Sequence, residues 1–269
     1  MQGCVCPHPP LLIPEVGGAS RARVAATVAA MEELAGLVGE PETTVVISPH
    51  TEGYGNAHAV KIAPRLSGDF GRFRCPEVAF SYETDAQFAE LLLALAGDEP
   101  EVRLAADDDD VLDWGVTVPL SFLRVRRIVS LSIIAPYREH RALGRLVRRC
   151  AEELGRDTLF LASGDLSHAL TYDAPAPYDP RGRLFDERVV ELLSRGDFSG
   201  LLELEPGLVA GAAECGLRSL IALGGFLGDD ATVAPRVLSY EGPFGVGYCV
   251  AYFPCRDHLR RRQGGGGAS

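Results

Sequence analysis

The alternation of short apolar runs with helical stretches constrains this chain more than any other feature of its sequence. GCVC, TTVVIS, HAVKIA, RIVSLSII, DTLFLAS, TVAPRVLSY and VGYCVAYF are β-branched or apolar and of strand length. Segments 20–38, 84–96, 138–154, 179–194 and 214–226 read as helices between them, with Ser20 and Thr84 as N-caps and Gly39, Gly97 and Gly155 as stops. PAPYDP, ending at Pro180, reads as a loop. Strands that alternate with helices imply a layered sheet, so the expected fold is a single α/β domain: a mostly parallel or mixed central sheet with helices on both faces. No internal repeat or linker interrupts residues 1–255, which are expected to form that domain. From 256 the chain turns basic and then glycine-rich (GGGGAS), the composition of a disordered or non-native tail.

That architecture gives three of the six histidines a common setting. His8 follows GCVCP, His50 follows TTVVISP and His168 follows DTLFLASGDLS, so each lies just past the carboxyl end of an expected strand. In an open α/β sheet the loops leaving that edge form the ligand crevice, which lets the three imidazoles converge. Pro7, Pro9, Pro10 and Pro49 stiffen the backbone beside His8 and His50, as a preorganised metal site requires.

Two imidazoles need a third ligand. AECG, at the opening of the last apolar helix, offers Glu214 and Cys215 side by side, with Glu241 in SYEGPFGVGY as a fallback that reads more simply as a turn residue. A glutamate in a first helical turn is also favoured by the helix dipole alone, so both candidates stay open.

Composition excludes several partners. The net charge of −11 and the confinement of the one basic cluster, Arg260 to Arg262, to the tail argue against nucleic acid and anionic membrane. No run approaches the roughly 18 apolar residues of a membrane span, and no basic segment opens the chain. Seven cysteines without a C-x-x-C pair suit a reducing compartment, so the expected location is cytoplasmic.

In their order along the chain, HPPLLIPEVG, VVISPH, LDWGVTVPL, SGDLSH, AECG and GVGYCVAYF resemble the catalytic B-subunit (LigB-like) family of class III extradiol ring-cleavage dioxygenases and, distantly, the Memo-like proteins. The resemblance runs from His8 to Phe253. It implies iron ligands at His8, His50 and Glu214 and an acid/base histidine at His168. Two histidines and a carboxylate on one face of Fe(II) leave positions for a catechol- or aminophenol-like substrate and for dioxygen. Because a carboxylate with two histidines suits the oxygen chemistry, the expected function is a non-haem Fe(II)-dependent extradiol-type dioxygenase with Glu214 as third ligand. The alternative, the Memo-like branch, implies Cys215 as third ligand, zinc or copper as the metal, and a metal-binding or redox role without ring cleavage. Either branch is compatible with a homodimer or with a heteromeric partner subunit.

The sequence departs from the dioxygenase pattern at one place. Where the family reads Asp-His-Gly, this chain reads Asp113-Trp114-Gly115. Indole cannot accept a proton; it supplies a flat apolar wall and one N–H donor, so Asp113 and Trp114 are expected in a substrate pocket of altered character.

Other signals are set aside. Residues 107–110, DDDD, lack the pattern of a calcium loop and read as a solvated turn. His58, His140 and His258 read as surface residues, and Cys4 and Cys6 as buried thiols on one strand face. Ser163 and Ser167 lie near His168 but in no G-x-S-x-G elbow, so a hydrolase is not indicated.

Overall fold

The structure is a computed structural model, described here for residues 1–134, 136–228 and 234–255. Ten strands form one mixed sheet: β1 (Gln2–Cys6), β2 (Thr43–Ser48), β3 (His58–Lys61), β4 (Arg65–Phe70), β5 (Cys75–Thr84), β6 (Leu104–Asp107), β7 (Arg127–Ser132), β8 (Thr158–Ser163), β9 (Arg236–Glu241) and β10 (Tyr248–Pro254). Their order is β4-β5-β7-β2-β8-β1-β10-β9, with β3 joined to β6 and β7 off this path. The centre is parallel: β7 pairs with β2, β2 with β8, and β8 with β1. The β4–β5 and β9–β10 pairs at the two ends are antiparallel.

The central strands read as continuous apolar runs because both of their faces are covered. Val5, Val45, Ile47, Phe160 and Ala162 enter one core layer, against α3 (Ala86–Ala96), α5 (Tyr137–Leu154), α6 (Pro180–Arg195) and α8 (Leu217–Leu227). Their alternates Cys4, Cys6, Val46, Leu159 and Leu161 enter the opposite layer, against α2 (Ala25–Val38) and α4 (Trp114–Leu120). This is the expected single α/β domain with a mixed sheet covered on both faces. Cys4 and Cys6 are fully buried on one face, their sulfurs 3.8 Å apart. No described helix is long and apolar enough to cross a membrane.

All seven expected strands are present, although TVAPRVLSY begins in residues outside those described and is a strand only from Arg236. The helix starts differ. Segment 20–38 opens as a 3-10 helix (Gly18–Val24), and α2 begins at Ala25. Its entry is sealed by Glu241, whose carboxylate accepts the Thr27 backbone N–H at 2.7 Å. Asp85, not Thr84, caps α3, accepting the Phe88 N–H at 3.2 Å while Thr84 closes β5. The last helix begins at Leu217, so Glu214 and Cys215 precede it. Unexpected from sequence are the β4–β5 hairpin, β6, α4, and the short helices α1 (Pro14–Gly17) and α7 (Pro206–Ala212). The tail from 256 and His258 lie outside the described residues.

Two readings of charged groups are corrected. His58 and His140 are wholly buried, with ring centres 4.9 Å apart; each donates from Nδ1 to a backbone carbonyl, of Ser132 and Pro136 respectively. Asp107 is buried too, because Lys61, the only lysine of the chain, reaches it at 3.0 Å and Asp109 at 2.8 Å.

Candidate metal centre

The strands β2, β8 and β1 are parallel neighbours, so the loops bearing His50, His168 and His8 leave the sheet side by side. His8 is almost completely buried, and its backbone N–H donates to Asp165 Oδ1 at 3.0 Å. Its Nδ1 lies 2.9 Å from Ser163 Oγ, and the Ser163 hydroxyl donates to the carbonyl of Gly115 at 2.5 Å. A hydroxyl has one proton, already committed, so Ser163 can only accept from His8. The His8 proton therefore sits on Nδ1, and Nε2 presents a lone pair to the crevice.

That lone pair faces His50 Nε2 at 3.0 Å. Two such nitrogens repel unless a proton or a cation lies between them. Cys215 Sγ lies 3.8 Å from His8 Nε2, and the three donor atoms all fall within 4.8 Å of one another. Two imidazole nitrogens bound to one ion at about 2.0–2.1 Å stand roughly 3 Å apart when they meet it near a right angle; a thiolate at about 2.3 Å stands roughly 3.6 Å from them at a tetrahedral angle. The His8–His50 and His8–Cys215 separations match those around a bound transition-metal ion. The span of up to 4.8 Å exceeds the roughly 4.4 Å that bonds of about 2.1 and 2.3 Å can bridge, so an ion held by all three donors draws His50 and Cys215 a few tenths of an ångström closer.

Cys215 reaches this position through backbone contact. A Cβ on Gly164 would lie 2.2 Å from the Gly216 Cα, so the segment after β8 and the one before α8 touch without side chains between them. Across this contact the Asp165 N–H donates to Cys215 Sγ at 3.3 Å. Burial, then the Asp165 carboxylate, push the Cys215 thiol well above its usual range; a coordinating cation reverses that by displacing the proton. Burial also holds His8 and His50 down to about 4, so both imidazoles are neutral donors at neutral pH.

Glu214 is not brought into this group. Ala213 adopts a left-handed conformation (φ 51°), and the next side chain turns towards α5. There Glu214 accepts the Leu217 N–H at 2.6 Å, as a cap for α8, and the Tyr137 hydroxyl at 3.4 Å.

His168 is partly exposed, and its Nδ1 donates to the Ala213 carbonyl at 2.9 Å. Its free Nε2 faces Asp165 Oδ2 at 4.0 Å, and the same oxygen lies 3.9 Å from His8 Nε2. Asp165, within the SGDLSH motif, is thus a further residue of the site. Burial raises its carboxyl to about 6, against the opposing pull of the His8 N–H and His168.

Asp113 and Trp114 enclose His50. Asp113 accepts the Ser48 and Thr51 hydroxyls at 2.8 and 2.5 Å and the Val116 N–H at 3.2 Å, while Ser48 Oγ accepts the His50 N–H at 3.2 Å. One carboxylate so caps α4 and fixes the backbone on both sides of His50. Trp114 lies over the His50 ring, with centres 4.1 Å apart and planes inclined by 31°. Phe73 meets the indole edge-on, and the Arg72 guanidinium sits over it at 4.9 Å. His50, Asp113, Trp114, Arg72 and Lys61 line a cavity of about 750 Å³, which His8 and Cys215 do not line.

Comparison with known proteins places the chain in a family. Protein CA_C1420 of Clostridium acetobutylicum is 34% identical over 263 residues, covering 91% of this chain and 55% of that protein. The MEMO1 family protein MK0963 of Methanopyrus kandleri is 28% identical over 176 residues, covering 62% of this chain and 54% of that protein. The chain thus spans about half the length of the curated relatives it matches. The crystal structure of the uncharacterized protein JW3007 from Escherichia coli K12 has the same fold, with a TM-score of 0.62 at 18% identity, over 94% of this chain and 99% of that one. The family model for the catalytic LigB subunit of aromatic ring-opening dioxygenase matches residues 2–251, nearly the whole described chain, and the protein belongs to that family.

Proposed function

We propose that the protein binds one transition-metal ion through His8 Nε2, His50 Nε2 and Cys215 Sγ and works as a Memo-like metal-binding or redox protein on the LigB scaffold. One observation carries this reading. The Cys215 sulfur joins the two imidazoles, whereas the Glu214 carboxylate is spent on the Leu217 N–H and on Tyr137. A thiolate with two imidazoles favours copper or zinc over the ferrous ion that two histidines and a carboxylate would hold. Metal analysis after reconstitution tests it: Cys215→Ser should lose copper or zinc, and Glu214→Ala should retain it. The opposite pattern would refute the ligand set.

A second reading, Fe(II)-dependent extradiol cleavage of a catechol- or aminophenol-like ring, is favoured by the 750 Å³ cavity at His50 and by the family itself. When bound, the metal would supply Lewis-acid and electron-transfer chemistry. The remaining work falls to the chain. Trp114 offers an apolar wall against which a ring can lie, and it shields His50 from water. His168, with Nδ1 held by Ala213, presents Nε2 to take a substrate hydroxyl proton, and Asp165 stabilises the resulting imidazolium. Anaerobic reconstitution with Fe(II), followed by oxygen uptake on a panel of catechols and 2-aminophenols, separates the two readings. Uptake that depends on His168 supports ring cleavage, and no uptake with any member of the panel leaves the metalloprotein alone.

A further inference from the structure

A second cavity, of about 630 Å³, opens between the start of α5, the 200–204 segment, α7 and the start of α8. Ala213 and Glu214 belong to its wall, while Cys215, His8 and His50 do not. Its volume is that of a small-molecule site, and Leu202, Leu204, Val209 and Ile221 make most of it apolar.

The polar groups in it are unequal. The Glu214 carboxylate is already engaged by the Leu217 N–H and Tyr137. Arg218 lies over the Tyr137 ring, its guanidinium carbon 4.2 Å from the ring centre. Arg138 is exposed, and no ion pair is formed with it among the described residues. The cavity therefore joins an apolar interior to a rim with one cation left uncompensated, in a molecule whose net charge is −11. The occupant complementary to this is an apolar body carrying a single negative group.

We propose that this cavity is a second ligand site, separate from the metal centre, for a small amphipathic carboxylic acid. Its apolar body packs against Leu202, Leu204, Val209 and Ile221, and its carboxylate meets Arg138 at the rim. Ala213, in the cavity wall, also holds His168 Nδ1 through its carbonyl.

Isothermal titration of the full chain, reconstituted with metal, tests the assignment with decanoate and 4-phenylbutyrate as probes and decanol and decylammonium as controls. Saturable one-site binding of either acid is expected, weakened at least tenfold by Arg138→Glu and by Val209→Trp, which fills the cavity. The controls should bind at least tenfold more weakly than decanoate. Metal content should match the unsubstituted protein in both variants; should Val209→Trp fail to fold, the exposed Arg138→Glu decides alone. The proposal is overturned by absence of saturable acid binding, by acid affinity unchanged in the folded variants, or by decanol or decylammonium binding as tightly as decanoate.

Discussion

Ser163 sets which nitrogen of His8 faces the crevice, although it touches none of the other candidate ligands. With its proton fixed on Gly115, it leaves His8 one tautomer, the one with a lone pair on Nε2. Partners of this kind typically contribute ten- to a hundredfold to metal affinity. Ser163→Ala is therefore expected to weaken metal binding by about that factor in a competition titration, with a smaller effect on thermal stability. A separate prediction concerns His140, held down to about 3 by burial first and then by His58, whose own Nε2 is buried without a hydrogen-bond partner. Unfolded, an imidazole takes up its proton near pH 6.5. Between pH 6.5 and 3 the unfolded chain thus binds more protons at this position, and stability falls as pH falls. The contribution is complete above pH 6.5 and amounts to ~2 kcal/mol lost by pH 5. Urea unfolding of the metal-free protein should show this contribution within a slope that His8, His50 and His58 share, and His140→Gln should reduce the loss between pH 6.5 and 5 by that ~2 kcal/mol.

Among elements, α5 and α8 make the closest approach. A Cβ on Gly144 of α5 would lie 1.9 Å from the Ala222 carbonyl of α8, so only glycine permits this packing. Gly144→Ala is expected to cost about 1–3 kcal/mol, read as a lower urea midpoint, because the two backbones must separate. How far the fold could be read from sequence follows from packing as well. TTVVIS and TLFLAS are buried along their whole length, and uniform burial leaves an unbroken apolar run. RLSGDF and CPEVAFSYET pair at a sheet edge with many residues exposed, so the β4–β5 hairpin leaves no such signal. α4 has seven residues and carries Gly115 and Pro119, so it reads as a motif before it reads as a helix. The strand-end placement of His8, His50 and His168 was legible because it needs only the order of elements. The rank of Glu214 against Cys215 was not. They are adjacent in sequence, and the turn at Ala213 together with the contact of Gly164 with Gly216 separates their side chains.

At the scale of the molecule, the three donors lie far apart along the chain: His8 and His50 are separated by 42 residues, His8 and Cys215 by 207. They meet only when β1, β2 and β8 are paired and α8 is docked, so a metal that binds there binds the native state and not the unfolded chain. Free metal at a hundredfold its dissociation constant should add about 2.7 kcal/mol. For a chain of this size that is a rise of roughly 5–10 °C in melting temperature. Differential scanning calorimetry should show the rise, its reversal by a chelator, and its absence in Cys215→Ser. The indole that lies over His50 is the only tryptophan in the sequence. Ultraviolet excitation near 295 nm therefore interrogates one spot in the molecule, a ring in van der Waals reach of a donor imidazole. A paramagnetic ion such as cupric copper arriving there would darken that emission, which gives the protein a label-free optical gauge of its own loading.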